Sequence, residues 1–374
     1  MVNLRRQFTL ACKRILNCTT APAEAFNAWL FRVLSESPAD SHILFNPIPP
    51  SIKDPLESPL LKYVKANIAR AIPVEDAILE LERLLRANWN AARLTEETRD
   101  PISFDVDETL DTLKFSVHSG SGVPDQFLDY SLDRSYVDTL RERFEGSGRH
   151  SEFFESLWIL LHRYTTLFGS KPSEGRGWQL AAPRQFMDVV RRFFCSAQTD
   201  EPSSGNFSAP KFLTECFASP FNAHPDNKFF SAFPDTDGPF GSYGNFFHST
   251  ADLPDVLELN PPFEPAVMLA AVDRIESVFS SQPNSRRIAV FVVPNWSECL
   301  PIDRLKQSKL LKTQFILQKS KHRYVNGFQH RMEKESHRMV YGESDTLIAV
   351  LGTGFEIDFE DFEYEVRRAW LPDC

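Results

Sequence analysis

No run of apolar residues approaches the roughly 20 that a helix needs to cross a bilayer, and no membrane span is expected. The six cysteines (Cys12, Cys18, Cys195, Cys216, Cys299 and Cys374) include no C-x-x-C pair, and none has a histidine partner at zinc-finger spacing. A structural zinc or a disulfide framework is therefore not expected, and a reducing compartment suits the thiols. The nine histidines show no H-E-x-x-H or comparable ligand pattern, so no metal is expected. Internal repeats and low-complexity tracts are absent as well. A last absence is local. From Arg304 to Met332 there is no acidic residue, in a chain whose net charge is −10. The overall charge argues against coating by nucleic acid over the whole surface. The stretch itself, with Arg304, Lys306, Lys309, Lys312, Lys319, Lys321, Arg323 and Arg331, reads either as a solvated face or as a groove for phosphates.

What is present is an ordinary apolar fraction, 42%, and a charged quarter, the composition of a folded protein. A chain of 374 residues suggests two domains. The first residues carry no acid before Glu24, a faint likeness to a transit peptide. Yet Leu4, Phe8, Ala11 and Ile15 recur at helical spacing, which favours a domain helix. Helical spacing returns at Leu61, Val64 and Ile68, at Val74, Ile78, Leu81, Leu85 and Trp89, at Tyr136, Leu140 and Phe144, and from Phe154 to Phe168. A proline-dense connector occupies 37–55, and "GSGRH" (146–150) marks a boundary. The expectation is an α-helical domain over 1–148 and an α/β domain over 149–374. Trp158 and Trp178 have the twenty-residue spacing of a WW module. The stretch between them reads as helix and the expected later proline is missing, so no WW module is expected.

In the second part, short apolar runs alternate with helical ones. Strands are expected at 212–219, 229–233, 256–260, 287–294, 314–318 and 346–353. Between two of them, Val267, Ala271, Ile275 and Phe279 mark a helix within 263–281. Strand, helix and strand in that order predict a βαβ crossover and a largely parallel sheet. "ELNPPF" (258–263) then falls at the carboxyl end of a buried strand, where open α/β sheets bind ligands.

Asn260, Pro261, Pro262 and Phe263 form the arrangement used by methyltransferases that act on an exocyclic or amide nitrogen. The lone pair of adenine N6 is delocalised into the ring. Two acceptors aimed at its hydrogens, the Asn260 side-chain oxygen and the Pro261 carbonyl, would localise that pair toward a methyl donor. Consecutive prolines hold the corner rigid, and Phe263 would stack on the base. The same four residues also suit a proline-rich turn closing a βα loop. "SAFPDTDGPFGSYGNF" (231–246) supplies Asp235 and Asp237 after the second strand, where a carboxylate commonly accepts from ribose hydroxyls. Its glycines allow close backbone approach, although an ordinary Asp/Gly/Pro turn fits equally. No G-x-G-x-x-G follows the first strand; "CFASPFN" (216–222) stands there instead.

"FASPFN" (217–222), "FFSAFPDTDGPFGSYG" (229–244), "ELNPPF" (258–263), "QSKLLKTQFIL" (307–317) and "HRYVNGFQH" (322–330) occur in this order, preceded by "GRGWQLAAP" (175–183). Over roughly 150–353 the chain resembles the phosphorylated CTD-interacting factor family, the cap-specific adenosine N6-methyltransferases. The resemblance implies a Rossmann-like methyltransferase core beside an N-terminal α-helical domain, with S-adenosylmethionine as cofactor. It implies catalytic roles for Asn260, Pro261, Pro262 and Phe263. It places the cofactor among Phe217, Ser219, Pro220, Asn222, Asp235, Asp237, Phe240 and Gly241. The implied substrate is capped mRNA, methylated at the adenosine next to 7-methylguanosine. Arg304, Lys309 and Lys312 would then meet the cap triphosphate, with Trp296, Tyr324 and Gln329 on the RNA, though Trp296 equally suits core packing. Internal RNA or DNA adenines, or a silent RNA-binding relative, are the alternatives. A monomer in the nucleus is expected, with the cytoplasm as second choice, and no binding to the polymerase tail through a WW module. The family's Pro-Glu-Trp reads Pro294, Asn295, Trp296 here, which removes the glutamate.

Overall fold

The computed structural model describes residues 2–17, 23–36, 54–68, 72–95, 104–117, 130–168, 180–195, 212–249, 253–327, 330, 338–354 and 358–370. They fall into two compact units, Met1–Arg176 with Phe233–Phe240, and Gly177–Ala232 with Gly241–Cys374.

The first unit holds α1 (Val2–Leu16), α2 (Ala23–Glu36), α3 (Leu61–Asn67) and α4 (Val74–Thr95). Leu4, Phe8, Ala11 and Ile15 are all buried, so the apolar stripe of α1 is a packing face. Trp29 and Trp89 meet edge to face at 5.6 Å. Between the helices sits a buried acid: Glu82 accepts from the indole of Trp29 and the hydroxyl of Ser58, both at 2.8 Å. Burial pushes its carboxyl up, against those two hydrogen bonds.

The expectation of an all-helical first part needs correction. An antiparallel meander, β1 (Phe104–Glu108), β2 (Thr112–Val117) and β3 (Tyr130–Asp133), follows α4. Its strands are short and only half apolar, so no continuous apolar run marks them in the sequence. The "GSGRH" boundary is a turn between α5 (Arg134–Glu145) and α6 (Phe153–Phe168), both in this unit. Arg5 donates to the Thr166 carbonyl at 2.6 Å and Phe31 stacks on Phe168 at 5.9 Å, tying α6 to the first helices. The unit therefore runs past 148, and it also includes the later helical turn Pro234–Asp237.

In the second unit come β4 (Leu180–Ala181), α7 (Arg184–Phe194), β5 (Leu213–Ala218), β6 (Lys228–Ser231), β7 (Val256–Leu259) and α8 (Pro265–Ser281). After these follow β8 (Arg287–Pro294), α9 (Leu300–Gln307), β9 (Leu311–Leu317), β10 (Arg323–Asn326), β11 (Met339–Tyr341), β12 (Thr346–Thr353) and α10 (Phe359–Ala369). Six strands form one sheet in the order β6-β5-β7-β8-β12-β9. β5 to β8 pair in parallel, and β12 runs antiparallel to both β8 and β9. The sheet is thus mixed, and β8 and β12 are buried along their whole length, which is why both read as unbroken apolar runs. Alternation along β7 sends Val256 to the face covered by α7 and α10, and Leu257 and Leu259 to the face covered by α8 and α9. β11, β10 and β4 make a small antiparallel sheet too short to be read from sequence.

Candidate active site

In this sheet order the chain passes from β5 outward to β6 and then returns to place β7 on the other side of β5. Such a reversal opens a crevice at the carboxyl ends of β5 and β7. Asn260 to Phe263 occupy the end of β7. The chain turns there because two prolines cannot continue a ladder, and Glu264 N–H closes on the Pro262 carbonyl at 2.7 Å. Helix α8 starts at once. The Glu264 carboxylate accepts from the N–H groups of Ala266 and Val267 at 2.8 and 3.0 Å, and Pro265 takes the first helical position.

The Asn260 side chain is nine-tenths buried, with 8% exposure. Its Nδ2 donates to the Leu180 carbonyl at 2.6 Å, and its Oδ1 has no hydrogen-bond partner. A donor tied to a backbone acceptor fixes which way the amide faces. The oxygen is left as a buried acceptor with nothing to accept, a costly arrangement that a ligand bearing N–H groups would relieve. Leu180 is set in turn by β4, whose Ala181 and Leu180 pair with Val325 and Asn326 of β10. Sequence reasoning missed it, since a carbonyl leaves no trace in residue type.

Phe263 is half-buried against the α7/α10 side of the sheet and meets Tyr324 edge to face at 6.1 Å. Tyr324 is 1% exposed and is a support beneath Phe263, in place of the expected RNA contact. A directed chain of hydrogen bonds holds it. His322 Nδ1 faces the Gln318 carbonyl at 2.7 Å and must donate, which leaves Nε2 to accept from Thr346 at 2.9 Å. The Thr346 oxygen is then free to accept from the Tyr324 hydroxyl. Burial lowers the His322 pKa and raises that of Tyr324, in keeping with a neutral chain.

At the end of β5 the loop is tied to itself. Asn222 Oδ1 accepts from the Ser219 N–H at 2.6 Å and the Ser219 hydroxyl at 2.9 Å. Pro220 is buried, and Phe217 packs on Phe246 and Phe247 at 5.2 and 5.6 Å. Gly241, with φ of 91°, begins a return along β6 in which Tyr243 N–H reaches the Phe229 carbonyl at 2.9 Å. The other three residues expected near a cofactor lie in the first unit. Asp235 is ion-paired with Arg163 at 2.8 Å. Asp237 is fully buried and accepts from the hydroxyls of Tyr164 and Thr236 at 2.8 and 3.0 Å, and Phe240 packs on Phe144 at 5.2 Å. These carboxylates already have protein partners, which is not the arrangement expected for groups awaiting a ribose.

Among the residues expected on RNA, Arg304 pairs with Asp273 and Glu276 of α8 at 3.1 and 2.7 Å, so its charge is answered within the protein. Acids distant in sequence thus balance part of the acid-free stretch. Lys309 and Lys312 are exposed. Trp296 is half-buried against the α8/α9 side, as core packing would have it. Asn295, where the family has glutamate, accepts from Lys306 at 3.0 Å. Gln329 lies outside the described residues. Among the described residues, no group of three His, Cys, Asp or Glu could hold a metal ion.

Two curated relatives carry the name mRNA (2'-O-methyladenosine-N(6)-)-methyltransferase. The one from Homo sapiens is 35% identical over 185 residues, 49% of this chain and 24% of the relative. The one from Mus musculus is 33% identical over 231 residues, 60% of this chain and 30% of the relative. The chain therefore matches less than a third of the length of either. A family model described as "Phosphorylated CTD interacting factor 1 WW domain" matches residues 136–327, just over half of the chain. That description names a module the sequence reading did not expect. The matched stretch runs from α5 to β10, Trp158 within it lies on α6, and Trp178 lies outside the described residues. By this match the chain belongs to the phosphorylated CTD interacting factor 1 family.

Proposed function

We propose that this chain is an S-adenosylmethionine-dependent methyltransferase with a Rossmann-like core, which methylates N6 of the adenosine next to the 7-methylguanosine cap of mRNA. The observation that carries the reading is Asn260: a buried amide at the end of β7, its Nδ2 held by the Leu180 carbonyl and its Oδ1 left as a bare acceptor. The relatives' shared name supplies the substrate class, adenosine in mRNA with a 2'-O-methyl on its ribose.

The residues at the crevice fit such a cofactor. It carries a sulfonium and an ammonium, and β7 ends in orphaned acceptors, Glu258 Oε1 and Asn260 Oδ1. Ser219, Pro220 and Asn222 would border it on the β5 side, and Gly241 on the β6 side. When bound, it supplies an electrophilic methyl group. Asn260 Oδ1 accepts one N6 hydrogen and the Pro261 carbonyl the other, which returns lone-pair density to nitrogen. Phe263 holds the base plane, braced by Tyr324. No strong base is needed, because the proton leaves after nitrogen has become cationic. Orientation accounts for most of the acceleration. Lys309 and Lys312 remain for the cap phosphates.

Methyl transfer from labelled S-adenosylmethionine to short RNAs beginning with adenosine tests this. Transfer to the 7-methylguanosine-capped RNA alone is the expected result, and Asn260→Ala should reduce it on the order of a hundredfold or more. Equal transfer to uncapped RNA would redirect the reading to internal sites. Full activity in Asn260→Ala would overturn the nitrogen-orientation mechanism.

A further inference from the structure

Where β9 ends, the second unit has a cavity of about 390 Å³ lined by Ile316, Gln318, Lys321, His322, Arg367 and Trp370. That volume is in the range of small-ligand pockets, about 300–1,000 Å³. Strand register fixes its place. β12 runs antiparallel to both β8 and β9, so β9 points the same way as β7 and β8. Thr346 faces Pro294 on one side and Leu317 on the other, and Leu259 faces Phe291. Leu317 therefore stands three residues beyond the level of Leu259, which is the level of the Asn-Pro-Pro-Phe corner. Leu317, Tyr324 and Trp370 also share one face of the sheet with Phe263. β9 is three strands along from β7, about 14 Å at a spacing of about 4.8 Å.

The floor of the cavity is aromatic. Trp370 and His322 are 2% and 1% exposed, and Trp370 Nε1 has no hydrogen-bond partner. A ligand acceptor would relieve that N–H. One ring separates this floor from Phe263: Trp370 meets Tyr324 edge to face at 5.0 Å, and Tyr324 meets Phe263 at 6.1 Å. The wall is partly apolar, since Ile316 is 39% exposed, and Arg367 donates to the Ile316 carbonyl at 2.9 Å. Lys319 and Lys321 stand exposed in the turn after β9, within the acid-free stretch. The acids brought by other elements are Glu363, which pairs with Arg367, and Asp345, which accepts the Lys319 N–H at 3.0 Å. Lys319, Lys321 and Arg367 thus outweigh the two carboxylates, and the balance at the rim is positive.

An aromatic floor under a cationic rim is how single-stranded nucleic acid is held without reading its sequence. We propose that this cavity is the subsite for the RNA that follows the target adenosine. A nucleotide a few positions downstream lodges its base beside Ile316, with an acceptor toward the Trp370 N–H and its phosphate against Lys321, as the target base lies on Phe263. This rests on the methyltransferase reading and extends it, because the relatives' name speaks only of the methylated adenosine. The cap purine suits the cavity less well. 7-Methylguanine is itself a cation, which a positive rim repels, whereas an ordinary base brings only the negative charge of its phosphate.

Methyl transfer by the full chain to capped RNAs of increasing length tests this, from cap and adenosine alone to about six nucleotides beyond. KM should fall on the order of tenfold as the RNA reaches the cavity, with kcat little changed. Lys321→Gln and Ile316→Glu should erase that fall and leave the cap–adenosine substrate as it was. Lys321→Gln should also reduce the salt slope of the longer RNA's affinity by about one. Lys306→Gln, on helix α9 at the opposite face of the sheet, should keep the fall. Separately, RNA bearing one 4-thiouridine at each downstream position in turn is irradiated on the protein, and one position should crosslink within 316–322 or 367–370. A KM that is flat with length, or a fall that survives both variants, overturns the proposal, as do crosslinks confined to other segments. Equal losses on the cap–adenosine substrate would put the cap in the cavity and overturn it too. Methyl transfer without length dependence defeats this inference and spares the methyltransferase reading; no transfer to any capped RNA defeats both.

Discussion

Tyr324 shows how a buried side chain governs one that is expected to touch substrate. Its ring braces Phe263, and its hydroxyl is the last donor in a chain ordered by the Gln318 carbonyl. Tyr324→Phe keeps the ring and removes one buried hydrogen bond, a loss of about 1 kcal/mol. Tyr324→Ala removes the brace and leaves a cavity, at a cost of about 3–5 kcal/mol. Thermal unfolding should rank the two in that order, and methyl transfer should survive only the first. If Tyr324→Phe instead loses RNA affinity with stability intact, the residue is an RNA contact after all. At this scale the sequence was legible where chemistry is local: Asn260 to Phe263 lie side by side in the chain. Leu180, eighty positions from Asn260, was not, because any residue type supplies a carbonyl. Glu258 was visible as a letter, but its burial depends on neighbours that only the fold assembles.

At the scale of elements, burial decides what can be read. Strands β7, β8 and β12 are covered on both faces, so β8 and β12 appear as near-continuous apolar runs, β7 is broken only by Glu258, and each lies within a residue or so of its expected place. The meander is hidden because "FDVDE" and "TLKFSV" are short and put a polar or charged residue at every second position or so, with helical segments on either side. β4, β10 and β11 span two to four residues and owe their existence to one another. Helix α8 was expected from its spacing, but its start is fixed by Glu264. Glu264→Ala leaves two helix N–H groups without an acceptor, next to the Asn-Pro-Pro corner. Loss of about 1 kcal/mol in chemical denaturation is expected, with Glu264→Gln retaining most of it. Unchanged stability in the alanine variant would show that the prolines alone set the corner.

For the molecule as a whole, acid is the condition most able to separate well-held from poorly held parts. His224 is buried against the Arg191 guanidinium, and its Nδ1 accepts from that group at 3.1 Å and from the Asp226 N–H at 3.2 Å. Burial first, then Arg191, bring its pKa from 6.5 down to about 4. The unfolded chain binds this proton more readily, so the contribution is complete above about pH 6.5 and disappears as pH falls to about 4. Its ceiling is about 3 kcal/mol, less the screening that partial solvent access brings. Denaturation between pH 7 and 4 should show this decline in the second unit, and His224→Gln should flatten it. An unaltered pH profile in the variant would assign the acid sensitivity elsewhere.

The path of the chain also bears on how this protein can be divided. It leaves the second unit after Ala232, contributes Phe233–Phe240 to the first, and goes back at Gly241. Tyr164 finds its acceptor, and Phe144 its ring neighbour, on that returning segment. A gene cut at 176 would therefore part Tyr164 from Asp237 and Phe144 from Phe240, and the second product would carry eight residues that belong to the first unit. Only the second product would keep every residue of its own unit, so the segment after β6 makes the two units unequal under such a cut.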